Sequence, residues 1–447
     1  MNDFRAVPCF LAAVLAALAI AMHAPGQFSY DSVMQIYEAS VGRSVGWQPP
    51  FMSALLAWLG GGAIGSSIFV ALNSCLTYGA FLMVLKSSPM SATRALFCAL
   101  LIINPVIFAY VGIIWKDVLF GAWAATTFAL CIAAERANST RVRLALLSLT
   151  VAILGMGALI RQQGVFMAPL LLIAPLGLVW TTRKGSQQIP FVLGGAVLFV
   201  LAWTVASALA NRTIVGSNGR SMTAGPAIVQ IFDIAGIIAR VSPQDAMQTF
   251  QGLTVEDDKK VREVYTPDRG DFLDGGTLQQ HLMNGGGGAS LTSIWFKGVK
   301  THPMAYVQHR ISSFASLLDL HDINRCLPIH VGVAGPEEYL RTLNMRQEVS
   351  ERASFLYAKA KPIFAYPIWQ NWFYVLMTLV ITVVALVNKR VIVPNRYVIG
   401  VYLAGMWVFI FSFVPTGIAC DFRYLYPIIP PLTAIGLLLI VRSKITS

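Results

Sequence analysis

Charged side chains are scarce in this chain of 447 residues: they make up 12% of it, with 33 Lys and Arg against 21 Asp and Glu. A soluble domain of average composition carries about 25%, so a soluble enzyme or scaffold is excluded at the outset. Alternation of apolar and polar residues over ten-residue stretches, the mark of a membrane barrel, is missing. So is an internal repeat of the kind on which many transporters are built. The six cysteines include no C-x-x-C spacing, which leaves no zinc or dithiol redox motif. No Rossmann-like unit is visible either, so a nucleotide-binding site of that type is not expected.

What the chain has instead is hydrophobic length. Apolar residues reach 56%, and runs of roughly 18–24 residues, each able to cross a ~30 Å hydrocarbon core as a helix, recur along it. Spans are expected at 7–24, 63–85, 95–114, 118–134, 144–160, 165–181, 189–210, 368–387, 397–414 and 424–441. The formal charge of +12 does not require a nucleic-acid partner, because the basic residues of the short loops are placed by topology. Arg5, then Lys86 and Arg94, then Arg136, Arg141 and Arg143, then Arg183 and Lys184, then Lys389, Arg390 and Arg396, then Arg442 and Lys444 fall at every second boundary, with Asp3 and Glu135 as the acids among them. That is the positive-inside pattern, and it puts both termini in the cytoplasm. The first run ends in Ala-Met-His-Ala, which has the small residues of a cleavage site, but Pro25 follows, and an uncleaved first helix is expected.

Residues 211–367 are not membrane-like and are expected to form a periplasmic domain between the seventh and eighth spans. The chain then divides into a seven-span module, 1–210, with an outer loop at 25–50, the periplasmic domain, and a three-span module, 368–447. Inside the domain, 227–241 and 293–314 have apolar residues near helical spacing and read as helices lying against the membrane or the bundle, and "HLMNGGGG" at 281–288 reads as flexible. Cys326 and Cys420 both fall on the outer side, where an oxidising compartment would let them pair; two free thiols are the alternative.

Ionisable residues that topology does not explain collect on that same side. Asp31 and Glu38 follow the first span, Lys116 and Asp117 start the fourth, Arg161 ends the fifth, and Asp421 and Arg423 start the last. Any one of them could be a solvated anchor, but charges kept at bundle mouths together define a candidate site. Carboxylates beside three cations suit a base next to a phosphate clamp: the cations stabilise an anionic leaving group while an acid takes a proton. The span interiors, by contrast, hold no Asp, Glu, Lys or Arg near their middle and few strong polar groups beyond Asn73 and Asn104. An ion-coupled transporter normally needs such residues.

Several short motifs lie in order on the outer side: an Asp shortly after the first span, Trp47-Gln48-Pro49-Pro50, "KDVLF" at 116–120, Arg161-Gln162-Gln163-Gly164, and "RYLYPIIP" at 423–430. Together they resemble GT-C-type polytopic glycosyltransferases, and "HPMAYVQHR" at 302–310 is similar to a segment in the outer domain of some bacterial relatives. The resemblance implies Asp31 as the catalytic base, Asp117 as a second acid that orients the acceptor or holds a divalent cation, and Lys116, Arg161 and Arg423 near a lipid phosphate. Gln48, Gln162 and Tyr424 join them as expected substrate contacts. One departure matters: relatives commonly carry His-Pro-Pro where this chain has Gln48-Pro49-Pro50, and Gln cannot take up a proton near neutral pH.

The expected protein is therefore an all-α integral membrane protein, GT-C-like, of about ten spans. Its expected activity moves a sugar from a polyprenyl-phosphate donor to a periplasmic glycan, lipid or protein acceptor at the bacterial inner membrane. An envelope-glycan polymerase or ligase and a non-enzymatic lipid-carrier flippase are the rival readings. No cofactor is required, and a divalent cation stays open; His321, Asp322 and His330 form no recognised ligand spacing. Pro49 and Pro50 are expected to turn the outer loop back as a short helix anchored by Trp47 and Trp58, folding the loop over the bundle mouth.

Overall fold

The computed structural model describes residues 3–46, 48–86, 89–182, 188–216, 220–270, 273, 275–285, 287–319, 325–387 and 396–442. Trp47, Arg183, Lys184, Lys389, Arg390, Lys444, His321 and Asp322 lie outside the described residues. The described chain is helical, and its only β pairings are isolated bridges.

Seven helical stretches are long and apolar enough to cross a membrane. The first is α1 (Ala6–His23); after α2 (Tyr30–Val41) and α3 (Phe51–Trp58) comes α4 (Gly62–Leu85). The third stretch, Ala92–Tyr110, is α5 (Ala92–Ile102) followed by α6 (Pro105–Tyr110). The break falls where the Asn104 side chain accepts from Val106 N at 2.9 Å and Pro105 takes the first helical position. Next are α7 (Lys116–Arg136), α8 (Thr140–Gly157), α9 (Gly164–Thr182) and α10 (Gln188–Thr213), of which α9 contributes only a shorter apolar stretch, Gly164–Trp180, outside the seven.

Between α10 and the closing helices come α11 (Arg220–Ile238), α12 (Pro243–Thr249), α13 (Val255–Val264), α14 (Gly275–Gly285), α15 (Leu291–Thr301), α16 (Pro303–Leu318), α17 (Glu337–Thr342) and α18 (Glu351–Ala360). The chain closes with α19 (Asn371–Val387), α20 (Arg396–Thr416) and α21 (Ile429–Arg442). Like Gly164–Trp180 in α9, α19 and the stretch Tyr426–Arg442 are apolar helices at expected span positions whose described apolar stretches run to 17 residues or fewer.

The central helix is α7, whose apolar window is 94% buried, against 22% for α1 and 11% for α10. It packs on α4, α8 and α21. Small residues on it, Gly121, Ala122, Ala124, Ala125 and Ala129, let neighbours approach closely. Gly121 meets Pro427 and Pro430 so tightly that any side chain there would press on them. The consequence for function is positional: Lys116 and Asp117, at the N-terminus of this helix, stand at the centre of the bundle end rather than at its rim.

The segment between α10 and α19 is divided between two cores. Ile231, Ile234, Ile237, Ile238, Phe250 and Leu282 belong to a separate hydrophobic cluster, whereas Leu317, Leu340, Phe364 and Trp369 belong to the core of the bundle. The expected placement of 227–241 against the membrane or the bundle is therefore corrected: α11 is the core helix of the second cluster, and its apolar residues are buried there. The expected helix at 293–314 is two helices, broken at His302-Pro303. Cys326 and Cys420 are joined in a disulfide, which ties this segment to the residue before Asp421.

Candidate functional site

Asp31 owes its place to the first turn of α2. Ser29 and Ser32 form a reciprocal capping box, the Ser32 hydroxyl donates to Ile114 O at 2.8 Å, and the Trp115 indole donates to Ser29 Oγ at 2.6 Å. The preceding residues run extended between two other segments: Gln27 N donates to Gly112 O at 2.9 Å and Phe28 N to Gly332 O at 2.8 Å. The start of α2 is thus fastened to the residues that start α7, and Asp31 is carried to Lys116 by backbone pairing rather than by chance.

Glu38, seven positions further along, does something else. Its carboxylate is buried and accepts from Val45 N and Gly46 N at 2.8 Å, Ser53 Oγ at 2.6 Å and Ser44 Oγ at 3.3 Å. Glu38 is the fastener of the loop that carries Gln48. Glu38→Ala should orphan those donors and cost about 1–3 kcal/mol, seen as a lower unfolding temperature and faster proteolysis between α2 and α3. Beyond that loop α3 packs against α2 and α10, with Trp58 donating to Thr213 Oγ1 at 3.0 Å.

Around Asp31 the structure brings together every expected site residue. Arg423 Nη1 donates to Asp31 Oδ2 at 2.7 Å, and its guanidinium lies over the Trp115 ring at 5.0 Å and the Tyr424 ring at 5.2 Å. Gln48 accepts from Gln35 Nε2 at 2.7 Å and also helps hold the Asp31 carboxylate through its side chain. Lys116 Nζ donates to Gln162 Oε1 at 3.5 Å and acts electrostatically on Asp31. Behind this layer Arg161 is ion-paired to Asp117, donates through Nε to Gln163 Oε1 at 2.8 Å, and sits among the rings of Phe409, Phe413 and Tyr424.

The two layers differ in access. The side chains of Asp31 and Arg423 are 27% and 17% exposed, whereas those of Asp117 and Arg161 are 4% and 3%. Arg423 is therefore the guanidinium on the open side, and Arg161 the one held in the bundle. Burial by itself would raise the Asp31 carboxyl, but Arg423 and Lys116 outweigh it and hold the group below its ordinary value of 3.8. A depressed value means that the ionised pair is complete at neutral pH and is lost only as pH falls through that lowered value.

Asp421, which the sequence singled out among the charges at the bundle mouth without giving it a role, shares Arg423 with Asp31: its Oδ2 is 3.6 Å from Arg423 Nε, and its Oδ1 pairs with Arg269 at 3.0 Å. The second cluster grips the same stretch, since Gly270 N donates to Ile418 O and Arg310 Nη1 to Gly417 O, both at 2.8 Å. Arg310 belongs to "HPMAYVQHR", whose charged end is accounted for by this docking and by the buried Asp233, which lies 2.5 Å from Arg310 Nε. The Trp115 platform was also unforeseen; its signal was an aromatic directly before the Lys-Asp pair.

A divalent cation does not fit this donor set. The two site carboxylates each face a guanidinium, and no group of three metal-binding side chains converges among the described residues. Comparison with protein-family models, with curated proteins and with solved structures finds no match for this chain.

Proposed function

We propose that the protein is a membrane glycosyltransferase that takes a sugar from a polyprenyl-phosphate donor and passes it to an acceptor at the outer face of the bacterial inner membrane. The observation that carries this is the convergence of Asp31, Lys116, Arg161 and Arg423, from four separate segments, on the N-terminal end of the central helix. Lys116, Arg423 and a helix N-terminus make an anion site, with Arg161, expected there too, engaged by Asp117 behind them, and one partly exposed carboxylate supplies a base beside it.

In the proposed reaction the acceptor hydroxyl gives its proton to Asp31 as its oxygen attacks the anomeric carbon. The bond from that carbon to the phosphate oxygen breaks, and its electron pair leaves on the phosphate, which Arg423 and Lys116 neutralise. The Asp31–Arg423 pair gives the site an order of events. A donor phosphate competes with Asp31 for the same guanidinium, so the pull that weakens the carboxylate as a base lessens once the donor is in place. Arg161 and Asp117, closed off behind, hold the first turn of α7 and the last outer turn in register.

The expected architecture for this reaction is ten spans, the three shorter apolar helices included, with the segment between α10 and α19 and its separate core on the periplasmic side. The Cys326–Cys420 disulfide supports that side independently of the loop charges, since such links persist in oxidising compartments. With Cys9, Cys75, Cys98 and Cys131 replaced, a cysteine introduced at exposed Ser290 should react with an impermeant maleimide in intact spheroplasts, and one at exposed Ser139 should react only after lysis. The reverse pattern would put the site in the cytoplasm and end the proposal. The decisive assay is sugar transfer from a labelled polyprenyl-phosphate sugar by the purified protein: release that depends on an added envelope acceptor supports it. Transbilayer movement of the intact lipid without release would establish the flippase instead.

A further inference from the structure

One indole ring away from the ionic cluster lies a cavity of about 180 Å³. Trp115 separates the two: the Arg423 guanidinium lies over the Trp115 ring at 5.0 Å, and the Trp115 and His330 ring centroids are 6.2 Å apart. The cavity is walled mainly by hydrocarbon, including Phe108, Ile329, Leu356, Tyr357 and Ile363. It sits at the end of α1 beside α6 and under α18, whose Arg352 donates to Ala21 O at 3.1 Å and to Ala24 O at 2.6 Å.

Three polar side chains on its wall are incompletely satisfied. Trp369 is fully buried and its indole N–H has no hydrogen-bond partner. His330 Nε2 has none, and burial keeps that imidazole below its ordinary titration range, hence neutral at pH 7. His23 is 4% exposed and turned toward the Phe108 backbone, yet neither ring nitrogen makes a hydrogen bond of ordinary geometry. Buried polar atoms without partners are rare in native proteins, and the Trp369 N–H, a donor only, calls for an acceptor.

Water could meet the polar atoms but gains nothing from the hydrocarbon that makes up most of the wall. A pure hydrocarbon chain would fill the volume and leave the donors unmet. A group with an apolar body and a carbonyl oxygen answers both demands. The cavity lies at the end of a membrane-length helix, the depth at which a bilayer's hydrocarbon gives way to its polar interface.

We infer that this cavity binds the ester-linked end of an acyl chain of a membrane lipid, and that the acceptor at the neighbouring site is such a lipid. The first half stands on the cavity and its unpaired donors; the second rests on the transferase reading. The lipid's polar end would pass Trp115 to reach Asp31, while its ester carbonyl accepts from the Trp369 indole N–H.

The test uses the full chain in liposomes with a phosphatidylglycerol that carries a diazirine near its acyl ester. Photolabelling should map to the peptides around Phe108 and around Leu356–Trp369. Ester-linked lipid should compete for it about tenfold better than the ether-linked analogue, the value of one hydrogen bond. Trp369→Phe keeps the ring and loses the donor, so it should erase that difference while labelling persists. Ala109→Trp, which fills the cavity, should abolish labelling there. Equal competition by ester and ether lipids, or label spread over lipid-facing helices and indifferent to Ala109→Trp, overturns the site. Better competition by farnesyl phosphate also overturns it, assigning the cavity to the donor's chain. Mapped, ester-sensitive labelling in a protein that transfers no sugar keeps the lipid site and sinks the transferase; sugar transfer with unmapped labelling does the opposite.

Discussion

Asp31→Asn should lower sugar transfer by about 10²- to 10⁴-fold, the loss expected when a general base is removed, while donor binding holds or tightens. The second half of that expectation comes from the ion pair. Arg423 spends the resting state on Asp31 at 2.7 Å; an amide in place of the carboxylate leaves the guanidinium to the donor phosphate. A protein whose turnover survives the change has another base, and a protein whose donor affinity falls uses Asp31 to bind rather than to take a proton. The pH profile supplies a check on the same group. Arg423 and Lys116 overcome the effect of burial and hold Asp31 below 3.8, so it stays ionised across the neutral range. In wild type, kcat/KM should show no acid limb until pH falls below the ordinary carboxyl value of 3.8. An acid limb near 6 would assign the base to a different residue.

The sequence made the positions of the site legible because each was a charged residue at an end of an apolar run, where its presence needs a reason. Lys116, Asp117, Arg161 and Arg423 stood out in this way, and the structure brings them together with Asp31. What could not be read was the order of depth. Arg161 and Arg423 look alike in sequence, each beside a turn, and one is sealed among Phe409, Phe413 and Tyr424 while the other faces the opening. That difference arises from the packing of helices more than two hundred residues apart in sequence, which no local pattern carries. Glu38 misleads for a related reason: an acid near a membrane reads as exposed, but its partners are backbone N–H groups seven and eight positions away. The division of the segment between α10 and α19 into two cores was hidden as well, because both halves have the same mixed composition.

The largest stability effect should come from the pair that the substrate does not reach. Asp117 and Arg161 are almost fully buried and ion-paired; removing either charge strands the other in the bundle, which typically costs about 3–5 kcal/mol. Asp117→Asn and Arg161→Gln should each lower the unfolding temperature in detergent strongly. The double substitution should regain much of that loss, because two neutral amides can satisfy each other and no lone charge remains. Arg423→Gln should behave in the opposite way. Its guanidinium is 17% exposed and shares Asp31 and Asp421 as partners, so the fold should tolerate the change while affinity for the lipid phosphate falls. Unfolding temperature and lipid-phosphate affinity, measured on the same folded preparations, separate these roles. Donor affinity lost in the Asp117–Arg161 double variant but retained in Arg423→Gln would invert the assignment and make the buried guanidinium the one that meets the phosphate. Additive destabilisation in the double variant would show that the two residues do not act as a pair, and the first turn of α7 would then need another explanation for its place at the centre of the bundle end.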